Sequence, residues 1–252
     1  MLALLLACAP PPDASPPSFS EASALLLAEY ESEDPAPLAQ VLADWLVVHA
    51  DEQDGFGLDP IPAEALVDMQ PQPDATDVDR LVGIGVTHRV SASLEAHVAV
   101  VPEPDQRFAD PATYNVWTRT LGEGTATGFV AGEALRTDNE IEKGGPFGVV
   151  IPYPMKKDYR WIDLEQGPTC MFRSWETESG YSENGKNGLV AGFTIELWVP
   201  DAGGLIWYNA SWAELITEID DLVDPDYVVS EVIAGTVDYM DGTDAHAAGV
   251  DP

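Results

Sequence analysis

Four histidines and two cysteines are the residues most able to support metal or nucleophilic chemistry. The histidines stand at 49, 88, 97 and 246 and the cysteines at 8 and 170. None has the His-Glu-x-x-His spacing or the cysteine partner that a zinc site needs. The neighbours of Cys170 are Met171 and Phe172, which favours a small buried side chain over a reactive thiolate. The sequence therefore predicts neither a zinc site nor a cysteine nucleophile.

Other catalytic patterns are missing from the sequence too. It contains no Gly-x-Ser-x-Gly elbow and no glycine loop ending in lysine. Among 44 acidic residues, any pair of carboxylates carries little information about glycoside chemistry. Two Asp-rich stretches, Asp51–Asp59 and Asp238–Asp244, leave calcium binding as an alternative, although neither matches the twelve-residue pattern of a calcium-binding loop. We therefore predict a non-enzymatic protein without a cofactor.

The charge of the chain limits its partners. Forty-four acidic residues oppose eleven basic ones, giving a formal net charge of −33. Such a field repels phosphate backbones, which argues against nucleic-acid binding. It also repels anionic lipid, so any attachment to a membrane requires a covalent or hydrophobic anchor.

The first residues suggest such an anchor. Leu5-Leu6-Ala7-Cys8 ends an apolar run and resembles the lipobox of bacterial lipoproteins, and a Pro-rich stretch follows to residue 17. The resemblance implies a lipid on Cys8 and an exported protein anchored in a bacterial cell envelope, at the outer membrane. The run lacks Lys and Arg, and its apolar stretch is shorter than the apolar h-region of a typical signal peptide, which has about 7–15 residues. An ordinary apolar start with an incidental cysteine is the alternative.

Hydrophobic spacing predicts helices in the first part of the chain and again at its end. The predicted helices are 19–31, 37–50, 94–101 and 108–117, then one from the capping box Ser211–Glu214 to Gly242, interrupted at Pro225. Residues 51–79 predict an irregular connection with one helical turn at 64–69.

Alternating residues predict strands in the middle of the chain. They cover 82–90, 128–134, 147–151, 158–164, 171–177, 188–199 and 205–210. Asn-Gly pairs within Ser182–Gly188 and a turn at Asp201–Gly204 predict hairpins. Together these segments predict an α+β fold with an antiparallel sheet.

Three local patterns resemble the START-type, polyketide-cyclase-like helix-grip superfamily over residues 80–242. They are Ser91–Glu95 followed by Ala109–Trp117, then Ile151–Tyr159, then Val199–Asn209. Lys157 stands where the superfamily has arginine, and Trp207 where it has proline. The resemblance implies a curved antiparallel sheet packed on a C-terminal helix, with a cavity between them for a lipid, sterol or isoprenoid. The predicted organisation is a signal and tether at 1–17, a helical extension with an irregular linker at 18–79, and the helix-grip domain at 80–252.

Six residues are candidates for contact with such a ligand. Arg160 and Arg173 are rare cations within strands, and the candidate tryptophans are Trp161, Trp175, Trp198 and Trp207. The alternative is that the arginines pair with carboxylates on the outer face and that the tryptophans fill the core. Trp198 is predicted to face away from Phe193 and Leu197.

The patterns leave two functions open. One is an envelope lipoprotein that binds or shuttles a hydrophobic small molecule. The other is an acidic surface lipoprotein that acts as an interaction or structural module. A cavity between sheet and helix favours the first, and a filled core favours the second.

Overall fold

A computed structural model of the protein describes residues 18–50, 55–74, 76–144, 149–218 and 225–250. In these ranges one antiparallel sheet has the strand order β1-β2-β9-β8-β6-β5-β4-β3, and β7 pairs with β8 at the side. The strands are β1 Phe56–Leu58, β2 Val82–Val90, β3 Tyr114–Glu123, β4 Leu135–Gly144, β5 Val150–Leu164, β6 Gly167–Glu176, β7 Gly180–Tyr181, β8 Gly188–Asp201 and β9 Gly204–Ile216. Both predicted hairpin turns are confirmed, at Ser182–Asn187 and Asp201–Gly204.

Helices cover both faces of the sheet. They are α1 Phe19–Ala28, α2 Ala36–His49, α3 Leu94–Val100, α4 Ala126–Val130 and α5 Pro225–Ala247. Hydroxyl caps begin three of them, because Ser18, Ser93 and Thr125 each accept a hydrogen bond from a backbone N–H of the first turn. In the described residues no helix is long and apolar enough to cross a bilayer.

The two faces of the sheet belong to different cores. In β8, Phe193, Ile195 and Leu197 pack under α1 and α2, on what we call the back face. Trp198 points the other way and packs toward α5, on the front face. This alternation follows from the two-residue period of a strand and confirms the orientation predicted for Trp198.

The back face carries the N-terminal extension. Phe19 of α1 packs on Trp45 of α2, Phe56 of β1 and Tyr208 of β9, with ring centroids 4.0, 5.2 and 5.0 Å apart. Ser23 Oγ donates to the carbonyl of Phe19 at 2.8 Å and lies 2.7 Å from the Tyr208 hydroxyl. Since the single Ser23 proton goes to the carbonyl, Tyr208 is the donor to Ser23. The extension is thus joined to the sheet by both aromatic packing and a buried hydrogen bond.

The front face grips α5. Met240 of α5 is fully buried against this face. His88 Nε2 of β2 lies 2.7 Å from Asp241 Oδ1. Asp244 accepts hydrogen bonds from the backbone N–H groups of Ser91 and Ala92 at 3.0 and 2.8 Å. These contacts fix the C-terminal half of α5 at the end of β2.

Two predicted elements in the middle of the chain are wrong. Residues 108–117 form only a 3₁₀ turn at Arg107–Ala109 before β3 begins at Tyr114. The alternating side chains of β3 pair with β4, and these long-range contacts prevail over the local Asp-Pro start signal. Residues 128–134 contain no strand, because the Thr125 cap starts α4 there. Strand β4 itself was missed by the prediction.

The predicted start of the last helix is also wrong. The apparent capping box Ser211–Glu214 lies within β9, where Ser211 pairs with Thr194 of β8 and with Ile84 of β2. Pairing on both sides satisfies its backbone groups, so the local helix signal has no effect. Helix α5 begins at Pro225, a favoured first-turn position for proline. The predicted interruption is therefore the start of the helix.

Candidate functional site

A cavity of about 230 Å³ lies between the front face and α5. Val232, Gly235, Thr236 and Tyr239 of α5 form one side of it. The sheet provides the remainder, namely Tyr114, Trp117, Ile141, Lys143, Ile151, Tyr153, Met155, Lys157, Glu176, Leu189, Gly192, Thr194, Asn209, Ser211, Ala213 and Leu215. The cavity therefore lies beside the same helix that the sheet grips.

Aromatic rings form one wall of the cavity. Tyr114 and Trp117 of β3 have centroids 4.6 Å apart, and Trp117 stacks on Tyr239 of α5 at 5.7 Å. The Trp117 indole N–H donates to Asn139 Oδ1 at 3.2 Å, which fixes the ring. Ile141 and Met155 continue this wall. A preordered surface of this kind suits a flat or compact apolar ligand.

A β-bulge brings β8 into the cavity wall. The register of β8 against β9 shifts between Leu189 and Ala191. Leu189 therefore faces the cavity, whereas Ala191 packs in the back core. Simple alternation would place both side chains on one face of the sheet, and the bulge turns Leu189 to the other face.

A buried ion pair borders the cavity. Lys157 Nζ lies 3.4 Å from Glu196 Oε1, and both side chains are 3% exposed. Glu196 Oε2 also accepts the indole N–H of Trp207 at 2.7 Å, and Lys157 Nζ lies 3.4 Å from the Tyr239 hydroxyl. Burial lowers the pKa of Lys157, but the opposing effects of Glu196, Tyr239 and Tyr159 together raise it above its ordinary value. The lysine is thus held as a cation whose charge is already matched.

Glu176 of β6 is a buried carboxyl in the cavity wall. It is 7% exposed, and its Oε2 has no hydrogen-bond partner in the part of the chain that the structure describes. Burial raises the pKa of Glu176 to about 8, against the opposing effect of nearby backbone N–H groups of Glu176 and Gly192. A Cβ atom at Gly192 would lie 2.4 Å from Oε2, so the glycine provides the space for this carboxyl. The group is therefore mainly protonated at neutral pH.

The predicted tryptophans are divided between the two faces. Trp198 and Trp207 lie on the front face, 5.2 Å apart, inside the core rather than at the cavity. Trp161 is half-buried and donates to the carbonyl of Phe129 at 3.1 Å. Trp175 is on the back face, where its indole N–H donates to the carbonyl of Pro71 at 3.0 Å. Trp175, Trp198 and Trp207 therefore have packing roles, whereas Trp161 lines a separate pocket of about 540 Å³ together with Arg160.

The predicted arginines lie on the back face and hold the segment after α1. Arg160 donates to the carbonyls of Tyr30 and Ser32. Arg173 is 2% exposed, pairs with Asp158 at 3.0 Å and with Glu31, and lies 4.4 Å from the centre of the Tyr30 ring. Within the described residues, none of the six predicted side chains is among those that line the cavity, and their contact with a ligand stays a prediction.

Sequence reasoning missed Glu176, although a signal for it was present. Trp175 and Glu176 are neighbours in a strand, so they must point to opposite faces. With Trp175 in one core, alternation directs the glutamate into the other. No local pattern, however, indicates that this second face borders a cavity.

Of the two Asp-rich stretches considered for calcium, the structure describes Asp238–Asp244 fully and Asp51–Asp59 only in part. Residues 51–54 lie outside the described residues, and so does Cys8. Asp238–Asp244 is helical and lies within α5, where Asp241 and Asp244 contact β2 and the start of α3 as described above. The described residues contain no group of three or more His, Cys, Asp or Glu side chains placed to hold a metal ion.

Comparisons with known proteins find similarity only among solved structures. No protein-family model matches the chain, and no curated protein does. The protein TTHA0849 from Thermus thermophilus aligns with a TM-score of 0.48 at 13% identity, covering 66% of this chain and 97% of its own. A STAR-related lipid transfer protein from Xanthomonas axonopodis gives 0.43 at 11%, covering 69% and 97%, and human STARD10 gives 0.40 at 9%, covering 69% and 66%. At such scores these likenesses carry no information about ligand or activity. The chain's own strand order and terminal helix show the helix-grip fold predicted for residues 80–242.

Proposed function

We propose that the protein binds a compact hydrophobic molecule in the cavity between the front face and α5. The observation that supports this most is the cavity itself, with Trp117, Ile141 and Met155 in its wall. Each 100 Å² of apolar ligand surface removed from water there contributes about 2.5 kcal/mol. A purely structural module would gain stability by filling this space.

The size of the cavity limits the ligand. Its volume of about 230 Å³ is below the roughly 300–1,000 Å³ of pockets for drug-sized molecules. It equals the liquid volume of about eight waters. Single-ring and short-chain compounds fit this space, whereas a four-ring sterol requires α5 to move away from the sheet.

A substitution in α5 tests this proposal. A Cβ atom at Gly235 has nothing within 4 Å, so Gly235→Leu places a side chain in the cavity without a backbone clash. We expect the affinity for benzyl alcohol, measured by saturation-transfer NMR titration, to fall at least about tenfold. Leucine favours a helix over glycine by about 1 kcal/mol, so the melting temperature should hold or rise.

Ala234→Leu is the matched control, because Ala234 is the adjacent residue of α5 and is exposed. This variant should bind benzyl alcohol as the unmodified protein does. Equal affinities for Gly235→Leu and Ala234→Leu, or no binding by any of the three proteins, would rule out the cavity as the site.

We further propose that the protein acts in a bacterial cell envelope, held there by a lipid on Cys8. The support is the sequence pattern alone: an apolar run, a cysteine and a Pro-rich spacer, in that order. Expression in a bacterium fed an alkyne palmitate analogue should label the protein but not its Cys8→Ala variant. Equal labelling of both proteins, or of neither, contradicts this anchor.

A further inference from the structure

We propose that the cavity selects a ligand carrying an ammonium group, with the Glu176 carboxylate as its ion-pair partner. This rests on the proposed function, because it names the chemical class of the molecule that the cavity binds. The selected molecule is a small amine with an apolar body.

The two buried carboxyls of this face differ in what they contact. Glu196 has a cation at 3.4 Å and an indole donor at 2.7 Å. Glu176 is also buried, and although backbone N–H groups of Glu176 and Gly192 lie near its carboxyl, its Oε2 has no partner among the described residues. A buried carboxyl oxygen without a partner costs free energy, which a ligand supplying the missing charge would recover.

The other ionisable groups that line the cavity do not supply this charge. Tyr114, Tyr153 and Tyr239 are phenols, and burial raises the pKa of each. Lys157 is paired with Glu196. Lys143 of β4 lies with its Nζ 5.9 Å from the centre of the Tyr114 ring, and no ion pair joins it to Glu176 in the described structure. An incoming cation would therefore meet a carboxyl that no other cation of the described residues pairs with.

Two further features favour a cation over a neutral ligand. The aromatic wall of Tyr114, Trp117 and Tyr239 offers ring faces, which attract ammonium groups by cation–π interaction. The net charge of −33 raises the local concentration of cations around the protein. Both features act in the same direction as the carboxylate.

Proton release separates this mode of binding from that of a ligand without an ionisable group, such as an alcohol. Because the pKa of Glu176 is about 8, the carboxyl must lose its proton when it pairs with an ammonium ion. Binding near neutral pH then releases a proton from the protein. The affinity for an amine rises by up to about tenfold per pH unit between pH 6 and 8, since the ionised fraction of Glu176 rises. A neutral ligand that accepts a hydrogen bond from the protonated carboxyl shows no such rise.

Calorimetric titration of the full chain with benzylamine and benzyl alcohol tests the inference. We expect benzylamine affinity to rise with pH, with proton release detected by repeating the titration in buffers of different ionisation enthalpy. In Glu176→Gln the release should disappear, and the preference for benzylamine over benzyl alcohol should fall at least about tenfold. Ala234→Leu should keep both the release and the preference.

The outcomes distinguish the two proposals. Binding of benzyl alcohol without binding of benzylamine overturns the ammonium site and leaves the cavity proposal standing. Benzylamine binding without proton release, or with the preference retained in Glu176→Gln, also overturns it. If neither compound binds, both proposals fail. Where Glu176→Gln does not fold, titration of the unmodified protein with benzyltrimethylammonium decides the question, because this cation has no ammonium proton to lose and any proton released must come from the protein.

Discussion

The contacts of Lys157 show how a strongly acidic chain keeps a positive charge inside. Its Nζ lies 3.4 Å from Glu196 and 5.1 Å from the centre of the Phe172 ring. A buried pair of this kind adds little net stability over apolar residues of similar size, but removing one partner leaves a costly unpaired charge. The pair therefore fixes the arrangement around the cavity more than it stabilises the fold.

At this scale we predict an asymmetric response to substitution. Lys157→Met should lower the free energy of unfolding by about 3–5 kcal/mol, because Glu196 then keeps a buried charge without its cation. The double variant Lys157→Met with Glu196→Leu should recover most of this loss. Urea denaturation of the single and double variants measures both effects.

The adjacent Lys156 provides the control. It points to the opposite face, is 25% exposed and pairs with Asp138, which is 51% exposed. Lys156→Met should cost no more than about 1 kcal/mol. If both lysine variants lose the same stability, the Lys157–Glu196 pair is not the source of the effect.

Helices α1 and α2 contribute a core of their own on the back face. Leu26, Leu42 and Leu46 are fully buried there. The Tyr208–Ser23 hydrogen bond and the Trp212 indole, which donates to the carbonyl of Asp59 at 2.9 Å, connect β9 to the segments that precede it. The extension is thus part of the packing of the sheet.

We predict that this packing contributes to the stability of the sheet. Leu42→Ala should reduce the free energy of unfolding by about 2–5 kcal/mol through a cavity in the back core. Val48→Ala, on the same helix but at a position that is 73% exposed, should change it by no more than about 0.5 kcal/mol. Thermal unfolding followed by near-ultraviolet circular dichroism of the tryptophans measures both. A small loss for Leu42→Ala would show that the sheet is stable without the extension.

At the scale of elements, the sequence predicted those whose local signals agree with their long-range pairing. Strand β2 and helix α2 show clear periodicity and were confirmed. The Ser211–Glu214 segment carries a helix-start signal, yet it forms a strand because β2 and β8 both pair with it. Pairing partners distant in sequence cannot be recognised from a local window.

For the whole molecule, the patterns and the family resemblance predicted the fold but not the site. The sheet and its terminal helix follow from hairpin signals and the last amphipathic stretch. The cavity depends on the bulge beyond Leu189, on Gly192 beside Glu176 and on Gly235 in α5. The bulge is a shift of register and the two glycines are absences of side-chain volume, and they create space only where β6, β8 and α5 meet.

The alternation of β8 between two separate cores has a consequence for engineering. Thr194, Glu196 and Trp198 belong to the ligand side, while Phe193, Ile195 and Leu197 belong to the side of the extension. Substitutions in different cores share no packing neighbours, so their energetic effects should combine almost additively. Among the even-numbered positions of β8, Thr194 lines the cavity, whereas Glu196 is paired with Lys157 and Trp198 packs in the front core. A library that varies Thr194 alone can therefore alter ligand preference while both cores keep their packing.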